Sequence, residues 1–356
     1  MKQNWSPERK EVQSDKADAT LQIALAGLSC RRGCYTHSMV AQICNSETEG
    51  DRMNIGGVLT AILAGMFMGT MGVFSRKTGL DAEVITFFRL LLGAGFLSML
   101  MVLSRRAYLL WRWPTWPVLI NGLMLAGFII FYIQSMYLTT MANAIMIVYL
   151  APLVASICAH FFLNEKLNLM SVLLICTALF GFAMMMEFRI DFSSGSNHAL
   201  GIGFAALALC CYAAFILVNR TIIPTVHVYT RTFYQLLTGA LCMVPFFILD
   251  FPEITGTTWL WLVGAGFFPG FLGILFAVIA LEKLPAAAFG TLAYFEPIVV
   301  VILGWMIFGE TLNFLQLTGC LLIIISGAVK GYLTTHAPPA KERDDVQQAT
   351  ILHSKT

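Results

Sequence analysis

Tyr294-Phe295-Glu296-Pro297, followed by Glu310-Thr311-Leu312-Asn313, restates Tyr149-Leu150-Ala151-Pro152 and Glu165-Lys166-Leu167-Asn168 at an offset of 145 residues. Aligned over 142–168 and 287–313, eight of 27 positions are identical, among them Ala142, Val154, Ile157, Glu165, Leu167 and Asn168 with their counterparts. A repeat of this length is a duplicated unit and not a solenoid period. Its meaning depends on how many times the chain crosses a membrane between the two copies.

That the chain crosses one follows from composition. It is 58% hydrophobic and 12% charged, with a mean hydropathy of +0.76. Soluble domains carry roughly twice that charged fraction. Charge is also segregated: seven of the 20 acids and seven of the 22 bases fall in residues 1–52. The stretch 53–333 therefore reads as an all-α polytopic membrane domain. A net charge of +2 without a basic stripe argues against a nucleic-acid partner. The nine cysteines lack the paired spacing of a zinc site or a disulfide framework, so no metal is expected.

Ten spans are predicted, near 55–74, 83–103, 116–136, 142–163, 168–187, 199–219, 228–249, 257–280, 286–308 and 313–333. Each approaches the roughly 20 residues that a helix needs to cross the hydrocarbon. Residues 1–52 read as a polar N-terminal tail, an extension upstream of Met53 without a signal-peptide pattern; 334–356 reads as a polar C-terminal tail. With both termini cytoplasmic, the inner loops hold Arg105, Arg106, Arg112, Lys166, Arg220, Lys283 and Lys330. The outer loops then hold Arg76, Lys77 and Arg189. That bias sets the expected orientation, integral to the cell (inner) membrane.

The halves now compare as 53–187 and 199–333, with Gly57 matching Gly201, Arg76 matching Arg220, and Thr86 matching Thr230. Five crossings per half is odd, so the second half enters from the opposite side. The expected architecture is an inverted 5+5 repeat, as in alternating-access transporters.

The run Ala287 to Pro297, then Gly309-Glu310-Thr311-Leu312 with Gly319 and Gly327, resembles the closing helices of the EamA family of the drug/metabolite transporter superfamily. Asn143 through Pro152 to Leu167 resembles the first-half counterpart, and Phe87-Phe88-Arg89-Leu90 the family's helix-two arginine. The resemblance covers about 53–333; the N-terminal tail departs from it. It implies ten helices, cytoplasmic ends, export of amino acids or related metabolites, and a cavity lined mainly by helices three, four, eight and nine with one and six.

Glu296 is the sharpest candidate for chemistry. A carboxylate at mid-span costs roughly 2.5–3.5 kcal/mol on insertion scales, so it should face a cavity or a partner. Its repeat mate is Ala151, so duplication does not explain it. It reads either as a proton-titrating or cation-contacting group, or as a neutral carboxyl tying helix nine to a neighbour. Pro152 and Pro297 each remove a backbone bond at mid-span, as hinges or as static kinks. Pro269, among Gly264, Gly266, Gly270 and Gly273, marks a further hinge candidate. Arg89 could neutralise a carboxylate, bind an anionic substrate group, or snorkel to the interface. Tyr149, Tyr294, Asn143 and Thr291 are further substrate-site candidates. Glu165 and Glu310 precede Asn168 and Asn313; they read as helix-end anions capping helices five and ten, or as gate ion pairs.

No Gly-rich phosphate loop, His-Glu-x-x-His or Gly-x-Ser-x-Gly is present, so neither ATP hydrolysis nor an intramembrane hydrolase has motif support, and no cofactor is expected. The expected function is a secondary transporter exporting amino acids or similar metabolites, with protons as a candidate coupling ion. An exchanger, a drug or cation exporter, and a passive channel are the alternatives, and both monomer and homodimer stay open.

Overall fold

Ten apolar stretches become ten helical rods separated by short breaks. The structure, a computed structural model, describes residues 55–165, 167–188, 196–222, 226–249 and 254–336, all within one unit, Met53–Ala337. The two expected tails lie almost wholly outside the described residues. The rods are α1 (Ile55–Thr78), α2 (Ala82–Leu103), α3 (Trp116–Leu138), α4 (Met141–Phe162), α5 (Leu169–Met185), α6 (Asn197–Thr221), α7 (Val228–Leu249), α8 (Gly256–Lys283), α9 (Ala286–Phe308) and α10 (Phe314–Thr335). Eight are long and apolar enough to cross a membrane. Of the other two, α5 has only 17 residues, and α7 buries Thr230, Arg231, Thr232 and Gln235.

Glycine sets several of the contacts. A Cβ on Gly181 of α5 would stand 2.8 Å from the Gly319 carbonyl oxygen of α10, so the two backbones touch there. Along the same pair, Ser326 Oγ donates to the Leu174 carbonyl at 2.5 Å and Lys330 Nζ to Ser171 Oγ at 2.6 Å. Residue numbers fall on one helix as they rise on the other, so α5 and α10 are antiparallel. Stacking of Phe87 on Phe247 and contact of Leu90 with Gly239 make α2 and α7 antiparallel too.

Other pairs run in parallel. Gly57 meets Leu284, Gly65 meets Glu296 and Gly69 meets Val299, so α1 runs with α9. Asn143 and Glu165 reach His198 and Arg220 respectively, so α4 runs with α6.

Four rods are interrupted. Thr70 forms a turn in α1. α4 divides into Met141–Val148 and Ala151–Phe162, and α9 into Ala286–Ala293 and Phe295–Phe308. Both of these breaks fall within the turn before a proline, where the missing N–H and the ring clash prevent a continuous ladder. In α8, Gly266–Gly273 is a π-helical segment containing Pro269, a local widening of the kind that recurs at functional sites.

Candidate functional site

The site begins at the two proline breaks. Tyr149 and Tyr294, repeat mates, occupy them. The Tyr294 hydroxyl donates to the Tyr149 carbonyl at 2.5 Å, and the two ring centroids lie 5.8 Å apart. Tyr149 also stacks on Phe182 at 4.3 Å. Gly290 makes the approach possible, since a Cβ there would come within 2.8 Å of Pro152 Cβ. The breaks in α4 and α9 are thus joined to each other.

Glu296 follows Tyr294 by half a turn, roughly 15 Å along α9 from its first residue. Gly65 of α1 closes on its backbone nitrogen. Arg89 of α2, Tyr132 of α3, Tyr149 of α4 and Tyr212 of α6 all lie within electrostatic reach of its carboxylate. All five residues are half-buried, among neighbours that are largely buried. Five helices therefore bring a carboxylate, a guanidinium and three phenols together at mid-bundle, each retaining accessible surface. Phe128 stacks on Tyr212 at 4.8 Å and on Tyr132 at 6.1 Å, fixing the aromatic wall. Arg89 Nε is buried with no hydrogen-bond partner among the described residues. The π-helical segment of α8 backs this arginine: a Cβ on Gly93 would meet the Gly270 backbone at 2.9 Å.

The remaining sequence candidates sit elsewhere. Tyr294 is fully buried and its hydroxyl is occupied, and Thr291 is buried with its hydroxyl bonded to the Ala287 carbonyl at 2.9 Å. Asn143 lies in the first turn of α4, hydrogen-bonded to Thr139 and His198. Pro152, Pro297 and Pro269 are buried inside the interrupted rods. Tyr132 was absent from the sequence candidates; the aromatic pair Phe128 and Tyr132, one turn apart at mid-span, is the signal that points to it.

Glu165 and Glu310 occupy equivalent turns. Asn164 and Gly309, repeat mates, take left-handed conformations with φ of 53° and 66°. The amides of Glu165 and Glu310 bond back to the carbonyls of Ala159 and Gly304, at 3.2 and 3.3 Å, so the chain folds back over the last turn of each helix in the same way. Their carboxylates then reach across the repeats. Glu165 pairs with Arg220 at 2.8 Å and accepts the Ala286 N–H of α9 at 2.9 Å. Glu310 pairs with Arg76. Asn313 caps α10 through a reciprocal box with Gln316, whereas Asn168 makes no such side-chain bond.

A second polar cluster surrounds Arg231 of α7, which is 1% exposed and bonds Glu282 and the Val278 carbonyl, both at 3.0 Å. No group of three or more metal-ligating side chains occurs among the described residues.

Comparison with known proteins identifies the family and the fold. The profile described as the EamA-like transporter family matches twice, over residues 55–186 and 199–329. An uncharacterized transporter of Archaeoglobus fulgidus is 26% identical over 75% of this chain and 93% of its own length. The pseudopaline exporter CntI of Pseudomonas aeruginosa is 24% identical over 76% of this chain and 94% of its own. A protein of known crystal structure, 21% identical, superposes with a TM-score of 0.70 over 78% of this chain and 98% of its own, and so shares the fold.

Proposed function

We propose that this chain, which belongs to the EamA-like transporter family, is a secondary transporter exporting amino acids or related small metabolites by alternating access. It is a multi-pass membrane protein; the finer reading is of ten spans in an inverted 5+5 arrangement. The antiparallel packing of repeat mates α5 with α10 and α2 with α7 supports the inversion. The parallel pairs α1 with α9 and α4 with α6, themselves exchanged by the repeat, support it further. On the loop-charge argument both termini are cytoplasmic, in the inner membrane.

The observation that carries the reading is that Glu296, with Arg89 and three half-buried tyrosines within its electrostatic reach, stands at the level of two proline breaks. Arg89 offers donors to a substrate carboxylate; Glu296 offers an acceptor to an ammonium group or a proton. The tyrosine faces suit the apolar body of an amino-acid-like molecule or a cation above a ring. The breaks let the two arms of α4 and α9 change angle while the Tyr294 to Tyr149 contact stays fixed. The pseudopaline exporter relative supports metabolite export in general terms.

Counterflow in proteoliposomes against an amino-acid and metabolite panel, with and without a pH gradient, tests this. Saturable, trans-accelerated uptake of a panel member is expected. Non-saturating flux would replace the carrier with a channel. The ring of tyrosines around a carboxylate also favours a second reading, organic-cation export; transport of quaternary ammonium compounds that survives Arg89→Gln would select it.

A further inference from the structure

The two cross-repeat ion pairs are related by the same duplication that relates the helices, yet they are not equally made. Glu165 of the first half engages Arg220 of the second, and Glu310 of the second engages Arg76 of the first. α9 begins beside Glu165 and ends at Glu310, so the pairs stand about 34 Å apart at opposite ends of one helix.

At the Glu165 end four rods are knitted together. One carboxylate oxygen holds the Arg220 guanidinium of α6; the other holds the Ala286 amide that opens α9. Arg220 adds a bond to the Leu281 carbonyl of α8 at 2.9 Å. The partners are 17–20% exposed. At the Glu310 end the counterpart of Ala286 is Met141, which opens α4. Met141 is 66% exposed, and Glu310 and Arg76 are 46% and 56% exposed. Among the described residues Glu310 has Arg76 as its side-chain partner, and no bond to the Met141 amide forms. One end is closed over the starts and stops of α4, α6, α8 and α9, while at the other the start of α4 stands away from the end of α9.

We propose that Glu165 is one half of an exchangeable lock. It closes its end by capping α9, and Glu310 caps α4 at Met141 when the opposite end closes. The inference rests on the alternating-access reading above, and it assigns the present structure to the state closed at the Glu165 end. A free N-terminal amide favours an anion, so each glutamate gains a helix cap, beside the cation it already pairs with, when its end shuts. Only one glutamate is capped at a time because the rods it joins must separate at the other end.

The test uses spin-label distances in the full-length chain in lipid nanodiscs, with native cysteines replaced. One label pair, on Asn168→Cys and Lys283→Cys, reports the Glu165 end; another, on Met141→Cys and Thr311→Cys, reports the Glu310 end. Glu165→Ala should lengthen the first distance and shorten the second, shifting the population at least tenfold, the worth of a charged hydrogen bond lost. Arg220→Gln removes the same pair from its other side and should shift both distances in the same sense, should Glu165→Ala fail to fold. Glu310→Ala should move the populations by less than about fivefold, as expected of an exposed ion pair. Lengthening at the Glu165 end without shortening at the Glu310 end would reduce the lock to local fraying and overturn the proposal, as would no change at either end. The distances need no substrate, so a failure of counterflow and a failure of the lock are read separately.

Discussion

Tyr294→Phe isolates the contact that joins the two broken helices. The substitution removes one hydroxyl from a fully buried ring and leaves the ring's packing against Tyr149 and Phe182 in place. What is lost is the 2.5 Å bond to the Tyr149 carbonyl. Side-chain hydrogen bonds between membrane helices average about 0.6 kcal/mol and reach about 1.7. A buried acceptor left unpaired costs about 1–3 kcal/mol. Because the carbonyl sits at a break where the helix ladder is already interrupted, the upper part of the first range applies, about 1.5 kcal/mol. At roughly 2–4 °C per kcal/mol, a drop of about 3–6 °C is expected by thermal unfolding in detergent. The mate supplies the control. The Tyr149 hydroxyl makes no hydrogen bond among the described residues, so Tyr149→Phe should change stability by less than about 0.5 kcal/mol. A loss from Tyr149→Phe equal to or greater than that from Tyr294→Phe would refute the assignment of the strut.

Glu296→Gln should depress counterflow roughly tenfold or more, the worth of a charge-assisted contact, and abolish its dependence on a pH gradient; full transport with an unchanged pH profile would remove Glu296 from the mechanism. Gly181→Ala places a Cβ 2.8 Å from the Gly319 carbonyl oxygen, backbone that cannot yield, and should destabilise by about 1–3 kcal/mol in the same melting assay. His227, just before α7, is held below the ordinary histidine range by burial, with Arg106 and Arg112 adding to the effect and Glu282 opposing it. The unfolded chain then binds more protons than the folded one, so stability should fall as pH drops through the unfolded histidine value of roughly 6.5. His227→Gln should flatten that part of the pH and melting-temperature curve; an unchanged slope would exclude His227 as its source.

How much of this was open to reading from the chain alone follows from the solvent. In water a helix advertises its buried face by the polar residues opposite it, but lipid is as apolar as the interior, so a spanning helix need not declare which way it points. Eight of the spans, the repeat and the proline breaks were therefore legible, because they depend on run length and on backbone chemistry. The convergence of Tyr132, Tyr149 and Tyr212 on Glu296 was not, since it depends on helix rotation. Glu165 shows the same limit at a helix end. Beside Asn168 it reads as a local anion for α5, yet its carboxylate is taken by Arg220 and the Ala286 amide, 55 and 121 residues away. Duplication is what recovers some of the hidden information: Arg76 with Arg220 and Glu165 with Glu310 are two mate relations, and under the proposed inversion they become two crossed ion pairs without any knowledge of rotation. Where the copies differ, as at Ala151 and Glu296, inversion predicts no partner. There the charge has no mate in the repeat, and Arg89 of α2, whose own mate by the offset that relates Thr86 to Thr230 is Phe233, is the cation within its electrostatic reach.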